Sequence, residues 1–197
     1  MHAERVNERL IRWNERYRRG EETFGFEPSS PLPAAIAGGA PGLALDLASG
    51  AGRNAIYLAE RGWRVVAVDG AEAGVELMRA EAARRGLSDR ITAHVADLMS
   101  RPRGFTLAPD AYDLVCDFYF LDRTLFDDIR AAVRPGGLFV AAIHLADPGD
   151  PPDRLLAPGE LARLLAPWGW ELDLVESASR EHGHQRSTAH LIAHRPR

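Results

Sequence analysis

One short apolar run closed by closely spaced glycines constrains this chain most. Leu43-Ala-Leu-Asp-Leu47 is followed by Ala48-Ser-Gly-Ala-Gly52, and then by Arg53–Arg61, which reads as a helix. That order fits a buried strand turning tightly into a helix. Glycines at such a turn let a ligand approach the backbone, because no Cβ stands in the way. The following helix presents free N–H groups toward the same place. The pattern then repeats. Arg64–Asp69 predicts a second buried strand, Ala71–Arg85 a helix stopped by Gly86, and Ile91–Val95 a third strand. After a loop rich in Arg and Pro, Tyr112–Cys116 predicts a fourth strand. Leu125–Val133 predicts a helix ended by Pro135-Gly136-Gly137, and Leu138–Ile143 a fifth strand. Short apolar strands alternating with helices argue for a parallel sheet covered on both faces.

The two ends of the chain depart from this alternation. Residues 2–19 place Val6, Leu10, Trp13 and Tyr17 near helical spacing and predict an amphipathic helix. Pro28, Pro31 and Pro33 then break the chain before a short helix around Leu32–Ala37. Near the other end Pro158–Leu165 reads as helical. Trp170–Val175 and Thr188–Ala193 read as strands around a turn-like Glu181–Arg186. An antiparallel hairpin at one edge of the sheet is expected there.

Acids stand at the ends of the predicted strands. Asp69 closes the second, where a carboxylate can accept hydrogen bonds from both hydroxyls of an adenosine ribose. Asp97, in Val95-Ala-Asp-Leu98, can accept from an adenine amino group while Leu98 packs on the ring. A loop acid capping its own backbone is the alternative there. Asp117 and Phe118 end the fourth strand, beside the switch point where open α/β sheets place ligands.

These residues carry a resemblance. Asp46 through Asn54 resembles the first motif of class I S-adenosylmethionine-dependent methyltransferases, approximately Asp-x-Gly-x-Gly-x-Gly, with Ala48 where the first glycine usually sits. Asp69, Asp97 and Tyr112–Asp117 match the later motifs in order. Arg134-Pro-Gly-Gly-Leu-Phe139 resembles the family's turn into the fifth strand, and the terminal hairpin its sixth and seventh strands. The resemblance covers about residues 42–195. It implies an α/β, Rossmann-like, seven-stranded and mostly parallel sheet with helices on both faces and a C-terminal antiparallel hairpin. It also implies a single domain over 1–197, with 1–40 as a helical cap and 42–195 as the core. The cofactor it implies is S-adenosylmethionine, leaving S-adenosylhomocysteine, held by Asp46, Ala48, Gly50, Gly52, Arg53, Asn54, Asp69, Gly70, Asp97, Leu98, Asp117 and Phe118.

A closer resemblance is to the small-molecule branch that includes tellurite-resistance and thiopurine methyltransferase-like proteins. Trp13-Asn-Glu-Arg-Tyr17 and Gly52-Arg-Asn54 carry it. It implies an N-terminal helix folded over the cofactor, with Trp13, Arg16 and Tyr17 near its methionine end and Arg16 paired with its carboxylate. Trp13 and Tyr17, at i and i+4, equally form the buried stripe of an amphipathic helix.

Composition removes other chemistries. The 197 residues include no lysine, so all 24 basic residues are arginine. A Walker-A lysine, a Tyr-x-x-x-Lys pair and a Schiff-base lysine are therefore excluded. A net charge of -4 gives no general attraction to nucleic acid or anionic membranes. The one cysteine, Cys116, excludes an internal disulfide framework and a Cys-rich zinc site, and its apolar strand makes it a core thiol. No apolar signal core is present, and no stretch approaches the ~18 apolar residues that span a bilayer. A soluble, cytoplasmic protein is expected. His182 and His184 in the turn, with His190 and His194 on the next strand, raise metal binding as one reading, but 182 and 184 have no acidic or Cys partner nearby and read as solvated surface, so no metal is expected.

The acceptor is less constrained. Methyl transfer from a sulfonium is an in-line displacement with a good leaving group, so proximity and orientation do most of the work. A base is needed only where the acceptor must lose a proton. His144, beyond the fifth strand, is the one weak candidate. Cys116-Asp-Phe-Tyr119 matches neither the Asn/Asp-Pro-Pro-Tyr/Phe motif of amino-methylating nucleic-acid enzymes nor the Pro-Cys motif of cytosine-C5 enzymes. No large insertion follows the fourth or fifth strand, which favours a small acceptor: a thiol, a metalloid oxyanion or a small metabolite. Two other readings share the opening motif. A nicotinamide-dependent oxidoreductase fits Gly50-x-Gly52-x-x-Ala55 but not the terminal hairpin. A non-enzymatic S-adenosylmethionine-binding module fits the cofactor positions alone.

Overall fold

The computed structural model describes residues 2–21, 27–147, 149–150, 155–177 and 186–197. Its elements are α1 (His2–Arg18), α2 (Pro31–Ile36), β1 (Leu43–Leu47), α3 (Arg53–Glu60), β2 (Arg64–Asp69), α4 (Glu72–Arg84), β3 (Ile91–Val95), β4 (Tyr112–Phe118), α5 (Phe126–Ala132), β5 (Val133–His144), α6 (Glu160–Leu165), β6 (Glu171–Ser177) and β7 (Thr188–His194). Short 3-10 turns precede α5 and follow α6. Among the described residues the strands form one seven-stranded sheet in the order β3-β2-β1-β4-β5-β7-β6. Consecutive side chains of a strand point to opposite faces. Nearly every residue of β1 and β4 is buried, so both faces of the central sheet are covered. This is the Rossmann-like arrangement expected from the alternating strands and helices.

The chain divides into two compact units, Met1–Pro28 with Pro41–Thr106, and Ser29–Ala40 with Leu107–Arg197. In the first, β1, β2 and β3 are parallel, with Leu47 opposite Val68 and Asp69 opposite Val95. Their carboxyl ends therefore lie side by side. α3 and α4 pack on these strands and α1 packs on α4. α3 follows the glycine loop and buries Ala55, Ile56, Leu58 and Ala59.

In the second unit β4 and β5 are parallel, and β7 runs antiparallel to both β5 and β6. The expected hairpin strands are thus present at the sheet edge. The turn between them, with His182 and His184, lies outside the described residues. The core of this unit is aromatic. Phe139, fully buried, meets Phe126 edge-on at 6.3 Å and Trp168 at 5.9 Å between ring centroids.

The start of β5 differs from the expectation of a helix through Val133, a Pro-Gly-Gly turn and a strand from Leu138. The strand begins at Val133, and the register with β4 jumps from Tyr112↔Val133 to Leu114↔Leu138. Arg134–Gly137 is therefore a bulge within β5. Gly136 takes φ +77°, and its N–H donates to the carbonyls of Arg195 and Pro196. At Gly137 a Cβ would meet the Asp113 carbonyl and Val133 Cγ1 at 2.9 Å. Long-range partners, invisible in a local pattern, turn the expected helix stop into part of the sheet.

Candidate cofactor site

The loop between β1 and α3 is the centre of the site. Ala48, Gly50 and Gly52 all have positive φ, at 50°, 55° and 86°. Two of the three are glycine, which enters this region without a Cβ penalty, and Ala48 enters it against one. The Ser49 N–H donates to the Val68 carbonyl, and the Gly52 N–H turns back to the Ser49 carbonyl. The loop is thereby stitched to the end of β2.

Asp69 completes that stitching. Its Oδ2 accepts from the Gly50 N–H at 2.8 Å and its Oδ1 from the Ala71 N–H at 2.7 Å. Each carboxylate oxygen keeps a further lone pair, so hydroxyl donors can still be bound. Burial raises the Asp69 pKa, while those two N–H groups and the Arg9 charge oppose the rise. At Asp97 the carboxylate Oδ1 accepts from the Met99 N–H at 2.8 Å, so the capping alternative is realised. Leu98 beside it is buried.

Asp46 is the most enclosed acid of the loop. It is 1% exposed, the Ala55 N–H donates to its carboxylate, and its Oδ2 has no hydrogen-bond partner. Burial, reinforced by the Asp69 charge and opposed by Arg53, pushes its pKa up to about 7. Ser49 Oγ is likewise buried without a partner. Asn54, the second residue of α3, is buried.

α1 lies over this loop. A Cβ on Gly50 would stand 2.4 Å from the Tyr17 hydroxyl, one on Gly70 2.5 Å from Leu10 Cδ2, and one on Gly74 2.9 Å from the Tyr17 ring. Asn14 Oδ1 accepts the Ala73 N–H at 2.8 Å, capping α4 from a distant helix. Trp13 stacks on Tyr17 at 5.8 Å, and the Arg16 guanidinium sits 4.7 Å from the Trp13 ring centre. Burial and the nearby Asp69 raise the Tyr17 pKa, so the phenol stays protonated. At Gly52 the absent Cβ makes room for Met78.

In the first unit the structure thus gathers Trp13, Arg16, Tyr17, Asp46, Ala48, Gly50, Gly52, Arg53, Asn54, Asp69 and Gly70 around one loop, with Asp97 and Leu98 after the neighbouring strand. Leu10, Asn14, Gly74 and Met78 were missed by sequence reasoning. Gly74 stands four residues after Gly70, a small-residue spacing that signals close helix approach. Asn14 lies inside the quoted Trp13–Tyr17 signature. In the second unit Asp117 and Phe118 are buried at the carboxyl end of β4. Tyr119 follows with φ +62°, its N–H donating to the Ala142 carbonyl at 2.7 Å. Its ring lies 5.0 Å from that of His144. Tyr119, too, was missed, because strained backbone has no sequence signature outside glycine. Cys116 is fully buried, as a core thiol should be. Among the described residues no helix is long and apolar enough to cross a membrane, and no cluster of His, Cys, Asp and Glu could hold a metal ion.

Known proteins share this fold. Residues 44–137 match the model of a family described as a methyltransferase domain. The fold resembles that of 1,6-didemethyltoxoflavin-N1-methyltransferase from Burkholderia thailandensis, solved with 1,6-didemethyltoxoflavin and S-adenosylhomocysteine. That likeness has a TM-score of 0.74 at 20% identity, over 100% of this chain and 91% of that one. TehB from Haemophilus influenzae is similar with a TM-score of 0.70 at 18% identity, over 89% of this chain and 65% of that one. The [4+2]-cyclase SpnF is similar with a TM-score of 0.69 at 18% identity, over 84% and 79%. A cyclase among these folds means that the fold alone does not decide the reaction. The chain therefore has the class I methyltransferase fold. Residues 44–137 are those that resemble a methyltransferase domain.

Proposed function

We propose that this chain transfers the methyl group of S-adenosylmethionine to a small-molecule acceptor: a thiol, a metalloid oxyanion or a small metabolite. The observation that carries the cofactor assignment is Asp69, whose carboxylate ties the glycine loop to the start of α4 and keeps lone pairs for a ribose diol. The rest of the donor set fits the same ligand. Asp97 offers an acceptor for an adenine amino group and Leu98 an apolar surface for the ring. Asp46 and Ser49 supply buried polar atoms without protein partners. Tyr17, Trp13 and Arg16 border the loop from α1, where Arg16 would pair with the cofactor carboxylate.

The cofactor, when bound, supplies an electrophilic methyl group on a good leaving sulfur. The protein's part is to hold acceptor and methyl in line and to exclude water. Asp117 and Phe118, at the carboxyl end of β4, and His144, at the end of β5, are the second unit's candidate contributions to binding. Where the acceptor carries a proton, His144 takes it. Support for a small acceptor comes from the absence of large insertions in the sequence. Two of the similar structures carry small molecules, 1,6-didemethyltoxoflavin in one and geranyl-S-thiolodiphosphate in another.

Calorimetric titration with S-adenosylhomocysteine, with NAD in parallel, tests the cofactor assignment. Micromolar affinity for the thioether, lost in Asp69→Ala and weakened in Asp97→Ala, is expected. Binding of NAD alone, or of neither, would overturn it. Binding without turnover on any thiol, oxyanion, amine or hydroxyl acceptor would favour the binding-module reading.

A further inference from the structure

Asp46 stands in the site with a chemistry that the geometry of the loop makes unusual. It is a carboxyl group next to the carboxyl end of β1, 1% exposed, with one oxygen held by the Ala55 N–H and Oδ2 unpartnered. An ionised carboxylate with an orphan oxygen in such a place is costly, because burial removes its hydration and nothing replaces it. Its charged neighbours pull in opposite directions. Asp69, at the end of β2, disfavours a second negative charge; Arg53, at the start of α3, favours one. From α1, Tyr17 adds a neutral phenol, and Arg9 acts on Asp69. Two carboxyl groups that repel one another across one loop share their protons as a pair, and the more buried member keeps its proton longer.

We propose that Asp46 is a proton switch for the cofactor: it holds a proton in the free enzyme and surrenders it to solvent when the cationic cofactor binds beside the glycine loop. The O–H bond breaks heterolytically. The electron pair stays on Oδ2 and the proton passes to water; the cofactor, when bound, would supply the positive charge that favours the ionised carboxylate. This role rests on the S-adenosylmethionine assignment above and adds to it. The ribose contact of Asp69 fixes which nucleoside binds, whereas Asp46 responds to the charge that the nucleoside carries. Burial holds the Asp46 proton up to about pH 7. Cofactor affinity should therefore climb with pH below neutrality.

Calorimetry of S-adenosylmethionine binding in buffers of differing ionisation enthalpy counts the released protons. It is done below pH 7, where the cofactor's amine stays protonated. At pH 6 the wild type should release close to one proton per cofactor, and Kd should weaken by up to about tenfold per pH unit between pH 7 and pH 5. Asp46→Asn should release none and show a flat Kd over that range. Binding by the wild type without proton release, or undiminished release by Asp46→Asn, would overturn the switch while leaving the cofactor assignment intact. Failure of the folded wild type to bind S-adenosylmethionine at any of these pH values would overturn the cofactor assignment and the switch with it. A measurement on the wild type alone guards against a variant that does not fold. With aspartate labelled at the carboxyl carbon, one buried NMR resonance should titrate near pH 7 and move to its ionised position when cofactor is added at pH 6. A resonance unmoved by cofactor would refute the proposal.

Discussion

Ala48 holds a left-handed backbone that its Cβ resists, in a loop whose other two left-handed positions are glycines. The strain of one L-residue there is roughly 1–2 kcal/mol, and the extra freedom of glycine in the unfolded chain returns about half of it. Ala48→Gly should therefore stabilise the protein by about 0.5–1 kcal/mol, a rise in Tm of roughly 2–3 °C by scanning calorimetry. Asp46 makes a separate prediction about stability. Its folded pKa, about 7, lies above its ordinary value of 3.8. The protonated form is thus the one that the fold favours. Its contribution is fully present below about pH 4 and is lost as pH rises to about pH 7. Urea unfolding of the free enzyme across that range should show a decline, and Asp46→Asn should lack it. The acids themselves were legible in sequence, since their places at strand ends follow from periodicity. Their protonation was not, since it depends on what surrounds them after folding.

At the scale of elements, the glycines do more than open the backbone to a ligand. Gly50, Gly70 and Gly74 are notches in which Tyr17 and Leu10 of α1 sit, and Gly52 is one for Met78. Asn14 adds a cap that α4 does not supply itself, since Ala71 at its N-cap has no side-chain acceptor. Asn14→Ala should cost about 1 kcal/mol, the ordinary worth of an N-cap, and speed hydrogen exchange at the Ala73 amide. Gly74→Ala should push the Tyr17 ring away, because its Cβ would also stand 3.2 Å from the rigid Gly50 backbone. Faster exchange along α1 and a weaker affinity for S-adenosylhomocysteine are expected, with α4 intact by exchange at its own amides. The amphipathic pattern of 2–19 correctly announced a helix. That pattern carried no information about its seat, because a stripe of Leu10, Trp13 and Tyr17 states only that one face is buried.

For the molecule as a whole, the described strands form one seven-stranded sheet in the order β3-β2-β1-β4-β5-β7-β6. Phe139, fully enclosed at the aromatic core of the second unit, tests how much that core matters. Phe139→Ala should cost about 3–5 kcal/mol in urea unfolding, since Phe126 and Trp168 would be left facing a cavity. The alternation of apolar strands with helices, the glycines after β1, Asp69 and the terminal hairpin strands could all be read along the chain. Each is a local pattern, fixed by side-chain periodicity or by what a backbone without a Cβ permits. The bulge at Arg134–Gly137, the left-handed Tyr119, the occupants of the glycine notches and the orphan oxygen of Asp46 could not. These depend on partners as distant as Arg195 from Gly136 or Tyr17 from Gly50. By itself the sequence determined the order of elements and the chemistry at the strand ends. Only the tertiary structure decided which groups are left without water, and so which of those acids keeps its proton.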